Sequence, residues 1–143
     1  MELSEEIIEH MMQPKNYGKL EAPGGVGIGY DDRSGEYVIL YLGQDPKAVG
    51  EIAFATNGCQ DTVVLGSVFT EMVKGASVDE AIRIMHSMEK QVAGAPEKQQ
   101  ACSELVLTAF KAALQNLAHR AAGGEEELHK LPIASSCATE EEE

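Results

Sequence analysis

Three residues of this 143-residue chain carry thiols: Cys59, Cys102 and Cys137. Thiolates bind soft metals and attack sulfur, and a helix N-terminus favours the thiolate form. Cys59 stands in Thr56-Asn57-Gly58-Cys59-Gln60-Asp61, where a strand-like run gives way to a helix-like one. Gly58 permits a tight backbone there. The first N–H groups of a helix starting near Asp61 point toward the thiol, and the Asp61 charge partly opposes them. Cys102 falls in the first turn of a long predicted helix, so the same argument applies to it. On periodicity alone, both positions read first as small buried hydrophobes. Their wide separation does not tell whether the two meet. Cys137 follows Ser135 and Ser136 in a polar tail, where an exposed thiol can oxidise.

Other chemistries find less support. The chain has no CxxC or HExxH spacing, so no local zinc site is announced. His10, His86, His119 and His129 lie in different segments without a ligand partner at helical spacing, and read as surface or capping residues. No nucleophile elbow or Ser-His-Asp set is present, and a Cys59 nucleophile would lack an evident base. The run Gly24-Gly25-Val26-Gly27-Ile28-Gly29-Tyr30 fails the dinucleotide register, because Tyr30 stands at the third glycine position, and it lacks the ending of a phosphate loop. It reads as a flexible turn into a weak strand at Val26, Ile28 and Tyr30.

The elements that must position the thiols follow from periodicity. Ser4 can cap a short helix with Ile7, Ile8 and Met11 on one side, ended by Pro14, and Asn16 to Gly18 form a turn. Tyr37 to Leu42 is an apolar strand. Gly43-Gln44-Asp45-Pro46 is a turn, and Val49 to Thr56 alternates as the partner strand of a hairpin. Asp61 to Lys74 carries Val64, Leu65, Val68, Phe69 and Met72 at helical spacing and stops at Gly75. Ser77-Val78-Asp79-Glu80 is a capping box opening a second helix. Gly94-Ala95-Pro96 breaks the chain. A long helix over 98–122 then presents Cys102, Leu105, Val106, Ala109, Ala113 and Leu117 on one face. Strands followed by a run of helices predict an α+β domain, with helices on one face of a small antiparallel sheet of about three strands.

Composition sets the outer bounds. The length suits one core over residues 1–122, and 43% apolar content with no Trp makes that core aliphatic. Residues 123–143 form an acidic tail, expected to be disordered, that holds nearly half of the net charge of −13. An acidic surface without a basic stripe disfavours nucleic acid. No apolar run reaches the ~20 residues of a membrane span. The acidic first residues do not look like a secretory signal. The odd, widely spaced cysteines suit reduced thiols, and the expected location is the cytoplasm.

Four segments, in order, carry a resemblance to a known family. Glu9-His10-Met11-Met12-Gln13-Pro14-Lys15-Asn16-Tyr17-Gly18 resembles the opening of NifU/IscU-type iron–sulfur cluster scaffolds. Phe54-Ala55-Thr56-Asn57-Gly58-Cys59 resembles the strand leading to that family's second cysteine. Thr70 to Ala81 resembles its helix–Lys-Gly–helix junction. Cys102-Ser103-Glu104-Leu105, followed by Ala109-Phe110-Lys111-Ala112-Ala113, resembles its third cysteine and last helix. The likeness covers about residues 3–120.

The resemblance implies the NifU/IscU (SufE/NifU-like) fold and a non-enzymatic platform. That platform takes sulfur from a cysteine desulfurase, holds a labile [2Fe–2S] or [4Fe–4S] cluster and passes it to apo-proteins. It implies adjacency of Cys59 and Cys102 as ligands. The family's first cysteine and nearby aspartate correspond to Ser34 and Glu36, the residue before the third cysteine is Ala101, and Ala95-Pro96-Glu97-Lys98-Gln99 replaces the chaperone-binding motif. A serine hydroxyl is a hard donor that resists deprotonation. Metal ligands are then Cys59, Cys102 and Glu36, and a homodimer would pair two such sites to give four thiolates. The alternatives are a persulfide carrier or interaction module of the same pathway, and a zinc- or iron-binding regulator using the same donors, or Asp61 in place of Glu36.

Overall fold

The computed structural model describes residues 5–94 and 97–133. Ser4, Ala95, Pro96, Cys137 and the terminal glutamates fall outside them. The elements run α1 (Glu5–Met12), β1 (Gly25–Tyr30), β2 (Tyr37–Leu42), β3 (Ile52–Thr56), α2 (Gln60–Val73), α3 (Val78–Val92), α4 (Glu97–Ala121) and β4 (His129–Pro132). The order is the α+β order that the sequence predicts. Ser77 caps α3 by accepting the Glu80 N–H at 3.1 Å, and Gly75, at φ 84°, turns the chain out of α2.

The sheet has four strands in the order β3-β2-β1-β4, not three. β1, β2 and β3 pair antiparallel, placing Gly27 opposite Leu40 and Leu40 opposite Phe54. One face of the sheet therefore carries Gly25, Gly27 and Gly29, then Val38, Leu40 and Leu42, then Ile52 and Phe54. Helix α4 lies on this face. A Cβ added at Gly27 would come within 2.1 Å of the Ala113 nitrogen, and one at Gly25 within 2.6 Å of the Ala113 oxygen. At Gly29 it would come within 2.6 Å of the Leu105 oxygen. The glycine run is thus the track on which the Leu105-Ala109-Ala113-Leu117 stripe of α4 rests, backbone on backbone. A reading of flexibility there is corrected: every second residue is glycine because a helix occupies the space of its side chain. Phe69 and Phe110 meet edge to face at 5.0 Å between α2 and α4, and both are fully buried.

β4 corrects the expected boundary at residue 122. His129–Pro132 pairs parallel with Gly27–Tyr30, so the sheet is mixed and the folded part extends past the expected start of the tail. Four residues ending in proline carry too little alternation to announce a strand. Buried Asn116 of α4 ties this strand down. Its Oδ1 accepts the Val26 N–H at 2.9 Å, and its Nδ2 donates to the Glu126 carbonyl and to His129 Nδ1, each at 3.0 Å. Asn116→Ala leaves a buried N–H without its acceptor and should cost about 1–3 kcal/mol. Hydrogen exchange should speed up at Leu131 and Ile133 before the rest of the sheet; uniform exchange in the variant would contradict this. Among the described residues, no helix is long and apolar enough to cross a membrane.

Candidate metal centre

Cys59 is the N-cap of α2, in extended backbone at φ −74° and ψ 176°. Its side chain makes no capping hydrogen bond, so the sulfur is not spent on the helix end. It is partly exposed, whereas Cys102 is fully buried. Because α4 begins at Glu97, Cys102 sits in its second turn, not its first, and the helix-end argument for that thiol lapses. The two sulfurs lie 3.8 Å apart, and Thr62 Oγ1 lies 3.8 Å from Cys59 Sγ. Two thiolates bound to one tetrahedral ion at 2.3 Å are about 3.8 Å apart. The pair already has the separation that a single metal ion requires.

Glu36 approaches the Cys59 loop from the β1–β2 turn. Its Oε1 is buried without a hydrogen-bond partner. It lies 3.0 Å from the position of a Cβ on Gly58, the residue before Cys59. Two polar clamps hold this turn against the Cys59 loop. Asn57 Oδ1 accepts the Tyr37 N–H at 2.8 Å while its Nδ2 donates to the Gly35 carbonyl at 3.1 Å. Thr56 Oγ1 donates to the Tyr37 carbonyl at 2.5 Å and accepts the Gly58 N–H at 2.9 Å. The orphaned carboxylate oxygen lies against the loop that carries Cys59, but Glu36 and the two sulfurs do not all come within 4.8 Å of one another, so the carboxylate would have to swing toward the thiols to share an ion with them.

Ser34 does not join it. Its hydroxyl donates to buried Asp31 Oδ2 at 2.8 Å and accepts the Glu36 N–H at 3.1 Å. The oxygen at the position that corresponds to the family's first cysteine braces the turn that carries Glu36. Ala101 is fully buried and offers no donor. The residues that sequence reasoning missed are the positioning ones, Thr56, Asn57 and Thr62, and also Ser103, whose buried hydroxyl has no partner.

The structure corrects the reading of two histidine positions. His10 is buried and meets Ser67 Oγ at 2.5 Å, which also accepts the Lys15 N–H at 2.7 Å. That contact fastens α1 to α2. His119 and His129 come together with Glu126, their ligand atoms within 4.8 Å of one another. A metal there would need a lone pair on His129 Nε2. Asn116 is oriented by Val26, so its amide N–H faces His129 Nδ1 and keeps the ring proton on Nε2. The trio reads as a polar clasp for β4. His86, exposed beside Glu89, is a surface residue as expected.

The model of the NifU-like N terminal domain matches residues 2–123. The chain belongs to this family. Iron-sulfur cluster assembly scaffold protein IscU 1 of Archaeoglobus fulgidus is 30% identical over 78% of this chain and 73% of its own length. The Haemophilus influenzae iron-sulfur cluster assembly scaffold protein IscU is 33% identical over 80% of this chain and 94% of its own. Among solved structures, the N-terminal part of a nitrogen-fixing NifU-like protein from Brucella abortus superposes with a TM-score of 0.64. Its identity is 22% over 82% of this chain and 94% of that one, a likeness of fold. In this NifU-like domain the cysteine pair sits at the junction of β3 with α2, backed by α4, and Glu36 lies on the β1–β2 turn against the loop that carries Cys59.

Proposed function

We propose that this domain is an iron–sulfur cluster assembly scaffold, binding iron and sulfide transiently through Cys59, Cys102 and Glu36. The observation that carries the reading is the 3.8 Å sulfur pair at the start of α2; Glu36, whose unpartnered buried oxygen lies against the adjoining Gly58, is the carboxylate that would turn in to complete the set. Two soft donors and one hard donor suit iron, and a three-donor set leaves a position open for exchange. The set lacks the four thiolates of a permanent cluster site, which favours release over storage. The cargo's own sulfides, small thiols or the same pair on a second copy complete the coordination. In this reading a cysteine desulfurase supplies the sulfur and apo-proteins take the product, with no substrate turned over. Names of relatives that describe scaffold proteins support it.

Zinc would use the same three donors, so the test must separate the metals. The reduced protein is reconstituted without oxygen from ferrous iron and sulfide. Visible absorption and bound iron and sulfide are then measured. The native chain should hold iron and sulfide together with a visible charge-transfer band. Cys59→Ala should lose both, and Glu36→Ala should lose most of the iron while keeping its fold. Unchanged loading in Cys59→Ala would end the proposal, as would a native protein that binds zinc but no iron.

A further inference from the structure

The two thiols differ in access. Cys59 is partly exposed at the start of α2, and Cys102 lies sealed behind it in α4, with the sulfurs 3.8 Å apart. Thiols in such contact are a ligand pair and also a two-electron reductant. We propose that this pair converts persulfide sulfur to sulfide on the domain itself. The inference rests on the scaffold reading only in taking Cys59 as the entry point for sulfur.

The reaction has two displacements. A persulfide donor, R–S–SH, is attacked at its outer sulfur by the Cys59 thiolate, giving Cys59–S–SH and the donor thiolate. The Cys102 sulfur then attacks Cys59 Sγ. The bond from Cys59 Sγ to the outer sulfur breaks, and the Cys59–Cys102 disulfide forms. The outer sulfur departs with the electron pair as HS⁻, and the remaining proton is released. Two electrons pass from the cysteine pair to the sulfane sulfur, which leaves at the oxidation level found in clusters. A dithiol reductant resets the pair.

Geometry favours this order. Displacement at sulfur is in line, so the leaving atom departs opposite to the attacking one. Cys102 attacks from the buried side, and the outer sulfur therefore departs toward the exposed side of Cys59. The sulfurs must close by about 1.8 Å to reach a disulfide bond length. Cys59, at a helix N-cap with no capping bond to break, has the side chain freer to move. Ser34 cannot compete, because its hydroxyl is bound to Asp31.

The test uses the full chain with Cys137→Ser, which removes the one remaining thiol. The reduced protein is treated with glutathione persulfide and freed of excess reagent. Released sulfide, intact mass and linked peptides are then measured. The two-thiol protein should release one sulfide per chain and yield a Cys59–Cys102 linked peptide. Cys102→Ser should keep an extra sulfur on Cys59 and release sulfide about tenfold more slowly or less. Cys102→Ala, checked for helical content, should behave as the serine variant does. Equal release with and without Cys102, a persulfide that persists in the two-thiol protein, or failure of Cys59 to acquire sulfur would each overturn the inference. A protein that loads iron and sulfide but keeps its persulfide loses this inference alone. One that forms the disulfide and sulfide but binds no iron loses the scaffold reading alone.

Discussion

Gly27→Ala is expected to destabilise the domain by about 3 kcal/mol and to lower its melting temperature by roughly 10 °C. The added methyl would lie 2.1 Å from the Ala113 nitrogen and 2.3 Å from the Ala109 oxygen. Neither atom belongs to a side chain that can turn away, so α4 must lift from the sheet or the strand must bend. Lifting α4 also withdraws Cys102, so iron loading should fall with stability. Gly50→Ala is the control, since nothing lies within 4 Å of the new methyl. Urea unfolding of both variants settles the matter. A Gly27→Ala loss as small as that of Gly50→Ala would refute the backbone-on-backbone account.

Phe54→Ala should cost about 3–5 kcal/mol. The ring is fully buried, meets Tyr17 edge to face at 5.2 Å, and presses on Gly66, where a Cβ would come within 2.4 Å of it. The same residue's main chain accepts the Gly18 N–H at 2.8 Å and donates to the Asn16 carbonyl at 2.9 Å. Phe54 therefore joins the N-terminal turn, β3 and α2 just before the strand delivers Cys59. Truncation should lower stability and also blur the position of Cys59. Phe54→Leu, which refills most of the volume, should recover a large part of both. Calorimetry together with thiol alkylation rates would show this; a variant with lowered stability but a native Cys59 rate would separate the two effects.

The elements legible from sequence were those whose own periodicity suffices. α2, α3 and α4, the Ser77 cap and the β2–β3 pair follow from apolar spacing and turn residues. β4 was not legible, because its register comes from main-chain pairing with β1 and from Asn116, thirteen residues before His129. The glycine run carried a signal that went unread: its alternation fits the four-residue spacing of Leu105, Ala109, Ala113 and Leu117. At the site, Cys59 was legible as a loop thiol before a helix. That Cys102 stands beside it came only from the family resemblance, since no local pattern reports a contact across 43 residues. Glu36 entered by the same route, and its orphaned oxygen is a property of the folded chain. His10 looked like a surface histidine because one buried polar contact, to Ser67, leaves no trace in hydropathy.

The short parallel strand has a consequence for how molecules of this protein meet one another. Without β4, the outer side of β1 would present a row of bare amide and carbonyl groups, a template for pairing with a neighbour and a route to aggregation. β4 occupies that row and is itself a poor template. It is four residues long, it is pinned from behind by Asn116, and it closes on Pro132, which has no amide hydrogen to offer. A chain cut before His129 would keep Cys59, Cys102 and its helices but gain an adhesive border.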